Sequence, residues 1–406
     1  MELSMFEQLF PRFHQRYEAF PFRELLAQFA QWLIDTGYGP DRTREHVRRL
    51  RQALELAGHP IVATFCFADM EQLFATSPRN AHFAATRGAL IRFLTDRGQW
   101  QHDVDVQLHA SILDAYRDHL CTVRGLSPPT VAQHISTVGA FLAETLPVPG
   151  MKVIDLTREQ IERHVVATGK RMTRQSLQHW VARLRSFLRF CHMQGLLAAR
   201  LDAIDTPRVY RDELPPRAIP WVTVQELLQS VDRGQSTGSR DYAILYLMAH
   251  YGLRPCEVAS LRLDSIDWQA NTLRVDQRKT RSVLLLPLAD QTLCVLKRYL
   301  DSGRPASTRP ELFLRARAPS GAIKHTAVCG LYQSRAARSG LAALQGTSAY
   351  CLRHSFAMRL LERGVGIKAI GDVLGHRGLE STCVYLRLQL DALRDVALPV
   401  PQAEAV

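Results

Sequence analysis

No apolar run among these 406 residues approaches the roughly 18 that a membrane-spanning helix requires. Met1-Glu2-Leu3-Ser4-Met5-Phe6-Glu7 has no basic stretch leading into an apolar one, so no secretory signal is expected and the cytosol is the expected compartment. The eight cysteines (Cys66, Cys121, Cys191, Cys256, Cys294, Cys329, Cys351, Cys383) are scattered, with no C-x-x-C pair. That spacing suggests neither a zinc ribbon nor a dense disulfide framework, and it suits reduced core thiols. Acidic residues are in short supply: 39 Asp plus Glu stand against 51 Lys plus Arg, a net charge of +12. The resulting pI near 9.6 favours a polyanionic partner, most commonly nucleic acid. A hydrophobic fraction of 46% with 22% charged residues is ordinary globular composition, which excludes a disordered chain or a fibre.

The length implies two or three domains. A helical block covers 1–102, a second helical block 103–200, a linker 201–220 and a third block 221–406. The first two blocks read as variants of one helical unit. In one, Phe29 to Leu33 leads through Gly37-Tyr38-Gly39-Pro40 to a helix opened by Thr43, with Val47, Leu50 and Leu54 on its apolar face. In the other, Tyr116 to Leu120 leads through Gly125 and Pro128-Pro129 to a helix opened by Thr130, with Ile135, Val138 and Leu142. Apolar positions three and four apart mark amphipathic helices, and Ser or Thr after a turn is a natural N-cap. Leu90 to Leu94 before Gly98 mirrors Phe187 to Cys191 before Gly195. Arginines crowd these helices. Arg48 and Arg49 in the first block and Arg174, Arg183, Arg185 and Arg189 in the second are candidates for contacts with DNA phosphates, or else a solvated face.

Pro207, Pro215, Pro216 and Pro220 stop helices and fit an extended linker. Beyond it, Val224 to Val231 reads as an amphipathic helix and Asp241 to His250 as a strongly apolar one. Leu273 to Val275 and Val283 to Pro287 read as strands joined by a basic turn, Gln277 to Ser282. Helices fill most of the remainder, so the third block is mainly α with a small β-hairpin (α+β), behind helical N-terminal domains.

Five residues in separated elements suit chemistry at one phosphodiester. Arg254 follows Gly252-Leu253, Lys279 lies in the basic turn, Arg353 sits in Leu352-Arg353-His354-Ser355-Phe356-Ala357, His376 in Leu374-Gly375-His376, and Tyr385 nine residues later. A phosphodiester repels nucleophiles and accumulates charge as it reacts. Arginine is permanently cationic and its planar fork fits two phosphate oxygens, so two of them can stand where other enzymes use metal ions. A tyrosine hydroxyl is a weak nucleophile alone, and nearby arginines favour its phenolate. The departing 5′ oxygen needs a proton, which a lysine on a hairpin can give. The chemistry calls for no metal, nucleotide or other cofactor.

These motifs together resemble the tyrosine recombinases, the phage integrase family. Gly252 to Leu261 resembles the family's first arginine box and Leu352 to Ala357 its second. Leu374-Gly375-His376 with Tyr385 resembles the histidine box and nucleophile, and Gln277 to Leu288 the hairpin that carries the lysine, with Arg278 and Arg281 as neighbours of Lys279. The resemblance implies that Arg254 and Arg353 bind the scissile phosphate, Lys279 is the general acid, His376 hydrogen-bonds the phosphate and Tyr385 forms a 3′-phosphotyrosyl link. Glu257 and His354 would support these groups from behind. Tyr350 stands where the family usually has histidine. Its proton is held too tightly for it to act easily as a base, so removal of the Tyr385 proton is the least defined step.

The resemblance further implies that 103–200 is the family's helical, SAM-like core-binding domain, that 1–102 is an arm-binding or duplicated core-binding module, and that 221–406 is catalytic. A prokaryotic, nucleoid-associated homotetramer on paired double-stranded sites is then expected. Leu388, Leu390, Leu393 and Val396 would lie in a C-terminal helix that docks on a neighbouring protomer or packs in cis. The implied function is integration, excision or transposition of a mobile element, with a sister recombinase as a further partner. The rival expectations are an accessory DNA-binding subunit with weakened catalysis, a type IB topoisomerase-like enzyme, and a helical scaffold with a basic face.

Overall fold

In a computed structural model of the chain, the structure describes residues 4–57, 65–78, 80–100, 109–148, 151–206, 217–277, 282–376 and 378–386. The proline-rich part of the linker at 207–216, the turn 278–281 with Lys279, and the proposed C-terminal helix after 386 lie outside the described residues. The chain forms two compact units, Met1–Trp32 with Asp41–Glu213, and Leu33–Pro40 with Leu214–Val406.

The first unit contains helices only, apart from an isolated bridge between Phe65 and Trp100 among the described residues. They are α1 (Met5–Leu9), α2 (His14–Glu18), α3 (Arg23–Asp35), α4 (Pro40–Ala57), α5 (Phe67–Phe74), α6 (Ala81–Asp96), α7 (Ala110–Asp118), α8 (Pro128–Thr145), α9 (Arg158–Gly169) and α10 (Arg174–Met193). The apolar spacing of the sequence becomes the packed face. Val47, Leu50 and Leu54 of α4 and Phe93 of α6 are buried, and Phe29 of α3 meets Phe93 edge-on at 5.5 Å. A second core joins α7 to α10 through Tyr116, Val138, Phe141, Leu142, Trp180, Leu184 and Phe187.

Two helix starts differ from expectation. Helix α4 opens at Pro40 rather than Thr43, and α8 at Pro128 rather than Thr130. Proline is suited to the first turn, because its fixed φ is helical and the N–H it lacks would have no partner there. Thr43 is instead fully buried, and Thr130 bonds the Ser127 hydroxyl at 2.9 Å.

The second unit is built around α12 (Ser236–Tyr251), preceded by α11 (Trp221–Gln229). Seven consecutive α12 residues, Ala243 to Ala249, are buried, so this helix is apolar on all sides and central to its core. It starts five residues earlier than the apolar run alone suggests, and α11 starts three residues earlier and ends two earlier than expected. After α13 (Pro255–Ser260) comes an antiparallel sheet of β1 (Ile266–Asp267), β2 (Thr272–Gln277) and β3 (Ser282–Pro287) in the order β1-β2-β3. The expected hairpin is present, with Leu273 opposite Leu286 and Val275 opposite Leu284. It is longer than expected, and the two-residue β1 was not expected. Helices α14 (Asp290–Ser302), α15 (His325–Ser339), α16 (Tyr350–Glu362), α17 (Ile367–Leu374) and α18 (Glu380–Cys383) complete the unit. The architecture is the expected mainly helical α+β one.

Candidate active site

Two helix ends converge on one side chain. Gly252 ends α12 with φ +64°, a left-handed conformation that glycine adopts without strain. A Cβ there would come within 2.7 Å of Phe356 and 2.8 Å of Leu374, so the backbone passes close to α16 and α17. The Gly252 carbonyl accepts a bond from Arg353 Nη1 at 2.6 Å, and the Leu374 carbonyl, at the end of α17, accepts one from Arg353 Nη2 at 2.6 Å. Arg353 is only 4% exposed, so these are bonds to a buried cation. Burial, then the charge of Arg254, lowers its pKa to about 10, which leaves it cationic at neutral pH.

Arg254 is the N-cap residue of α13, extended at φ −73° and ψ 152°, with Pro255 at the first helical position. Glu257 sits one turn on and is 3% exposed. Its carboxylate accepts the Arg254 backbone N–H at 2.8 Å and Arg254 Nη1 at 2.6 Å, and lies 4.0 Å from Arg353 Nη1. One buried carboxylate therefore holds two guanidinium groups near each other, offsetting a like-charge repulsion that would otherwise drive them apart.

The hairpin is fastened to the same place. Gln277, the last residue of β2, is buried and donates from Nε2 to the Leu374 carbonyl at 3.3 Å. Lys279 lies two positions further along the sequence, outside the described residues. Gly375 has φ +63°, and a side chain there would collide with the Gln277 amide. His376 follows, its Nδ1 2.8 Å from Thr382 Oγ1, with Thr382 fully buried.

Tyr385 is 2% exposed and packs with Ala357, Ile370 and Leu374. Its hydroxyl oxygen lies 3.1 Å from His354 Nδ1, and the two rings are 5.7 Å apart at 56°. Burial raises the Tyr385 pKa, while the charges of Arg353 and Arg254 pull it back. Burial likewise lowers His354, helped by the charge of Arg353. Tyr350, at the start of α16, is 43% exposed, and its pKa is raised by partial burial and two neighbouring thiols, against the two arginines. Ser355 ties the segment before α11 to α16, accepting from Ile219 N at 2.9 Å and donating to its carbonyl at 2.7 Å.

The structure thus brings Arg254, Glu257, Tyr350, Arg353, His354, His376 and Tyr385 into one unit. Gln277 and Thr382 were not singled out in the sequence. Their signal was position, one at a strand end beside the basic turn and the other between His376 and Tyr385.

Four of the six arginines proposed for DNA contact bond other groups of the chain. Arg183 bonds Gln133 at 2.7 Å and Thr137 at 3.4 Å, Arg185 bonds the Ile204 carbonyl, and Arg189 pairs with Asp202 at 3.3 Å. Arg49 pairs with Glu45 at 2.7 Å. Arg48 is exposed beside Arg16, Arg44 and Arg51, and Arg174 opens α10 behind its Thr173 cap. Among the described residues no cluster of three or more His, Cys, Asp or Glu is placed to hold a metal ion.

Residues 221–391 match the model of the Phage integrase family. A Sinorhizobium fredii protein named as an integrase/recombinase, y4rA, is 31% identical over 391 residues, covering 92% of this chain and 93% of its own. Tyrosine recombinase XerC of Pelobacter propionicus is 28% identical over 70% of this chain and 92% of its own. Two DNA-bound structures share the fold. A lambda integrase dimer on a COC′ core site matches with TM-score 0.53 and 19% identity, over 68% of this chain and 94% of its own. The Tn1549 transposon integrase with circular intermediate DNA matches with TM-score 0.55 and 14% identity, over 71% and 99%. The S. fredii alignment extends through nearly the whole chain, and the chain belongs to the phage integrase family, the tyrosine recombinases, enzymes of site-specific DNA recombination.

Proposed function

We propose that this recombinase cuts and rejoins DNA through a 3′-phosphotyrosyl link at Tyr385, in the integration, excision or transposition of a mobile element. The observation that carries the reading is the Arg353 junction. One buried guanidinium bonds the ends of α12 and α17 and lies beside Glu257, which also holds Arg254. A phosphate presented to that pair meets two fixed cations. Charge held in place before the reaction begins stabilises the charge that develops in it, and phosphoryl transfer depends on that effect and on positioning more than on any other.

In this account Arg254 and Arg353 bind the scissile phosphate and His376, held by Thr382, donates a hydrogen bond to it. The Tyr385 oxygen attacks phosphorus. The bond to the 5′ oxygen breaks, and Lys279 protonates that oxygen as it leaves. Rejoining reverses the step with a 5′ hydroxyl of the partner strand. The phosphodiester energy is kept in the tyrosyl link, so no external energy source is needed. Residues 221–406 act as the catalytic domain, 103–200 as a helical core-binding domain and 1–102 as a further DNA-contacting module. Double-stranded DNA as the partner is supported by the net charge of +12 and by the DNA in the two solved structures of similar fold. Exchange between two duplexes needs four active sites, hence a homotetramer, with the segment after Tyr385 as the docking element.

A second reading, an accessory DNA-binding subunit, is favoured by two observations: Tyr385 is buried, and partial burial raises the pKa of Tyr350, so that it keeps its own proton. The test uses a nicked duplex selected from a randomised pool for binding to the full chain, incubated in EDTA. A covalent protein–DNA adduct that disappears in Tyr385→Phe supports the recombinase reading. Tight binding without adduct moves the weight to the accessory one.

A further inference from the structure

A phenol that attacks phosphorus must lose its proton, and the groups around Tyr385 differ in their ability to take it. Arg254 and Arg353 are donors with no acceptor site. Tyr350 holds its own proton more tightly than a free tyrosine does. His376 Nδ1 faces Thr382. His354 Nδ1 lies 3.1 Å from the Tyr385 oxygen, within the range that proton transfer requires. We propose that His354 is a catalytic base of this enzyme, accepting the Tyr385 proton at Nδ1 as the bond from the tyrosine oxygen to phosphorus forms. The proposal rests on Tyr385 being the nucleophile.

The step balances. An electron pair on the tyrosine oxygen forms the bond to phosphorus, and the phenolic proton moves to Nδ1, leaving the imidazole cationic. The phosphorus–O5′ bond breaks, and O5′ takes its proton from Lys279. In rejoining, His354 returns its proton to the tyrosine oxygen as that oxygen leaves phosphorus. Transfer in advance of bond formation is uphill, because burial raises the pKa of Tyr385 and lowers that of His354. The same shift keeps the ring neutral and its lone pair available. Proton transfer therefore accompanies bond formation, where Arg254 and Arg353 pull the tyrosine towards its phenolate. The position is rigid: His354 follows Arg353 on α16, and Ser355 anchors the same turn to Ile219.

The test uses the full chain and a nicked duplex selected from a randomised pool for binding to it. His354→Ala and His354→Gln are compared with wild type, each carrying either tyrosine or 2,3-difluorotyrosine at position 385. The fluorinated phenol is more acidic and needs a base less. With tyrosine, both variants should bind the duplex as wild type does and form adduct roughly a hundredfold more slowly. With difluorotyrosine, most of that loss should disappear. Adduct formation at the wild-type rate in the variants overturns the proposal. So does a loss that difluorotyrosine fails to relieve, which would make His354 a positioning residue. If the alanine variant does not bind DNA, the glutamine variant, which keeps the bulk and polarity, decides. An absence of adduct in wild type itself overturns the nucleophile reading, and the role of His354 with it.

Discussion

At the scale of single residues, Arg353 has a structural part that stands beside its proposed chemical one. It satisfies the Gly252 and Leu374 carbonyls, and its charge stands 4.0 Å from Glu257. Arg353→Leu leaves two carbonyls unpaired and removes a buried cation from beside a carboxylate. Breaking a buried pair from one side costs about 3–5 kcal/mol. Urea denaturation should show a loss of that size together with loss of strand cleavage. A loss of cleavage at unchanged stability would mean that the two carbonyl bonds contribute nothing. Motif order alone named the candidate site residues. It did not give their mutual contacts. His354 and Tyr385 are 31 residues apart, and nothing in either motif announces the bond between them. The arginines expected to meet DNA show a different limit. A basic residue on a helix looks like a free donor until its partner is known, and the partners of Arg183 and Arg189 lie in other elements, at Gln133 and Asp202.

At the scale of elements, the β2–β3 hairpin and the end of α17 form one assembly, with Gln277 bonded to the Leu374 carbonyl and Gly375 packed under the Gln277 amide. Gly375→Ala should fail on two counts. Its φ of +63° costs about 1–2 kcal/mol for any residue with a Cβ, and that Cβ would displace Gln277. The expected result is slower adduct formation with DNA affinity kept, read by gel shift on native and denaturing gels. Equal cleavage rates would detach the hairpin from the site. Periodicity showed the helices because burial follows the 3.6-residue repeat, and the alternation of β2 was equally visible. Helix starts were less legible, since a proline at the first helical position, as at Pro40 and Pro128, also reads as the last residue of a turn. The strand β1 was invisible because two residues carry no periodicity; it exists only through Ile266 pairing with Leu273.

At the scale of the whole molecule, a charge of +12 sets the expected partner and the expected sensitivity. Each DNA phosphate neutralised by a cation releases counterions, so log affinity should fall linearly with log salt, by about 0.9 per phosphate. Titration from low to moderate salt should give a steep slope, and a flat one would contradict a phosphate-dominated interface. Composition and charge made the class of partner legible, but a helical bundle with a basic surface does not reveal which bases it meets, because base readout depends on the few side chains that reach the groove edges.

The central claim is that the Tyr385 oxygen takes the scissile phosphate. The measurement that tests it most directly is mass spectrometry of the covalent adduct after trypsin and nuclease digestion. Tyr350 and Tyr385 fall in different tryptic peptides, because Arg353 and Arg377 lie between them. The account predicts a nucleotide attached through its 3′ phosphate to the peptide 378–387, at Tyr385. A nucleotide on the peptide 339–353 that contains Tyr350, or a 5′ linkage, would contradict it.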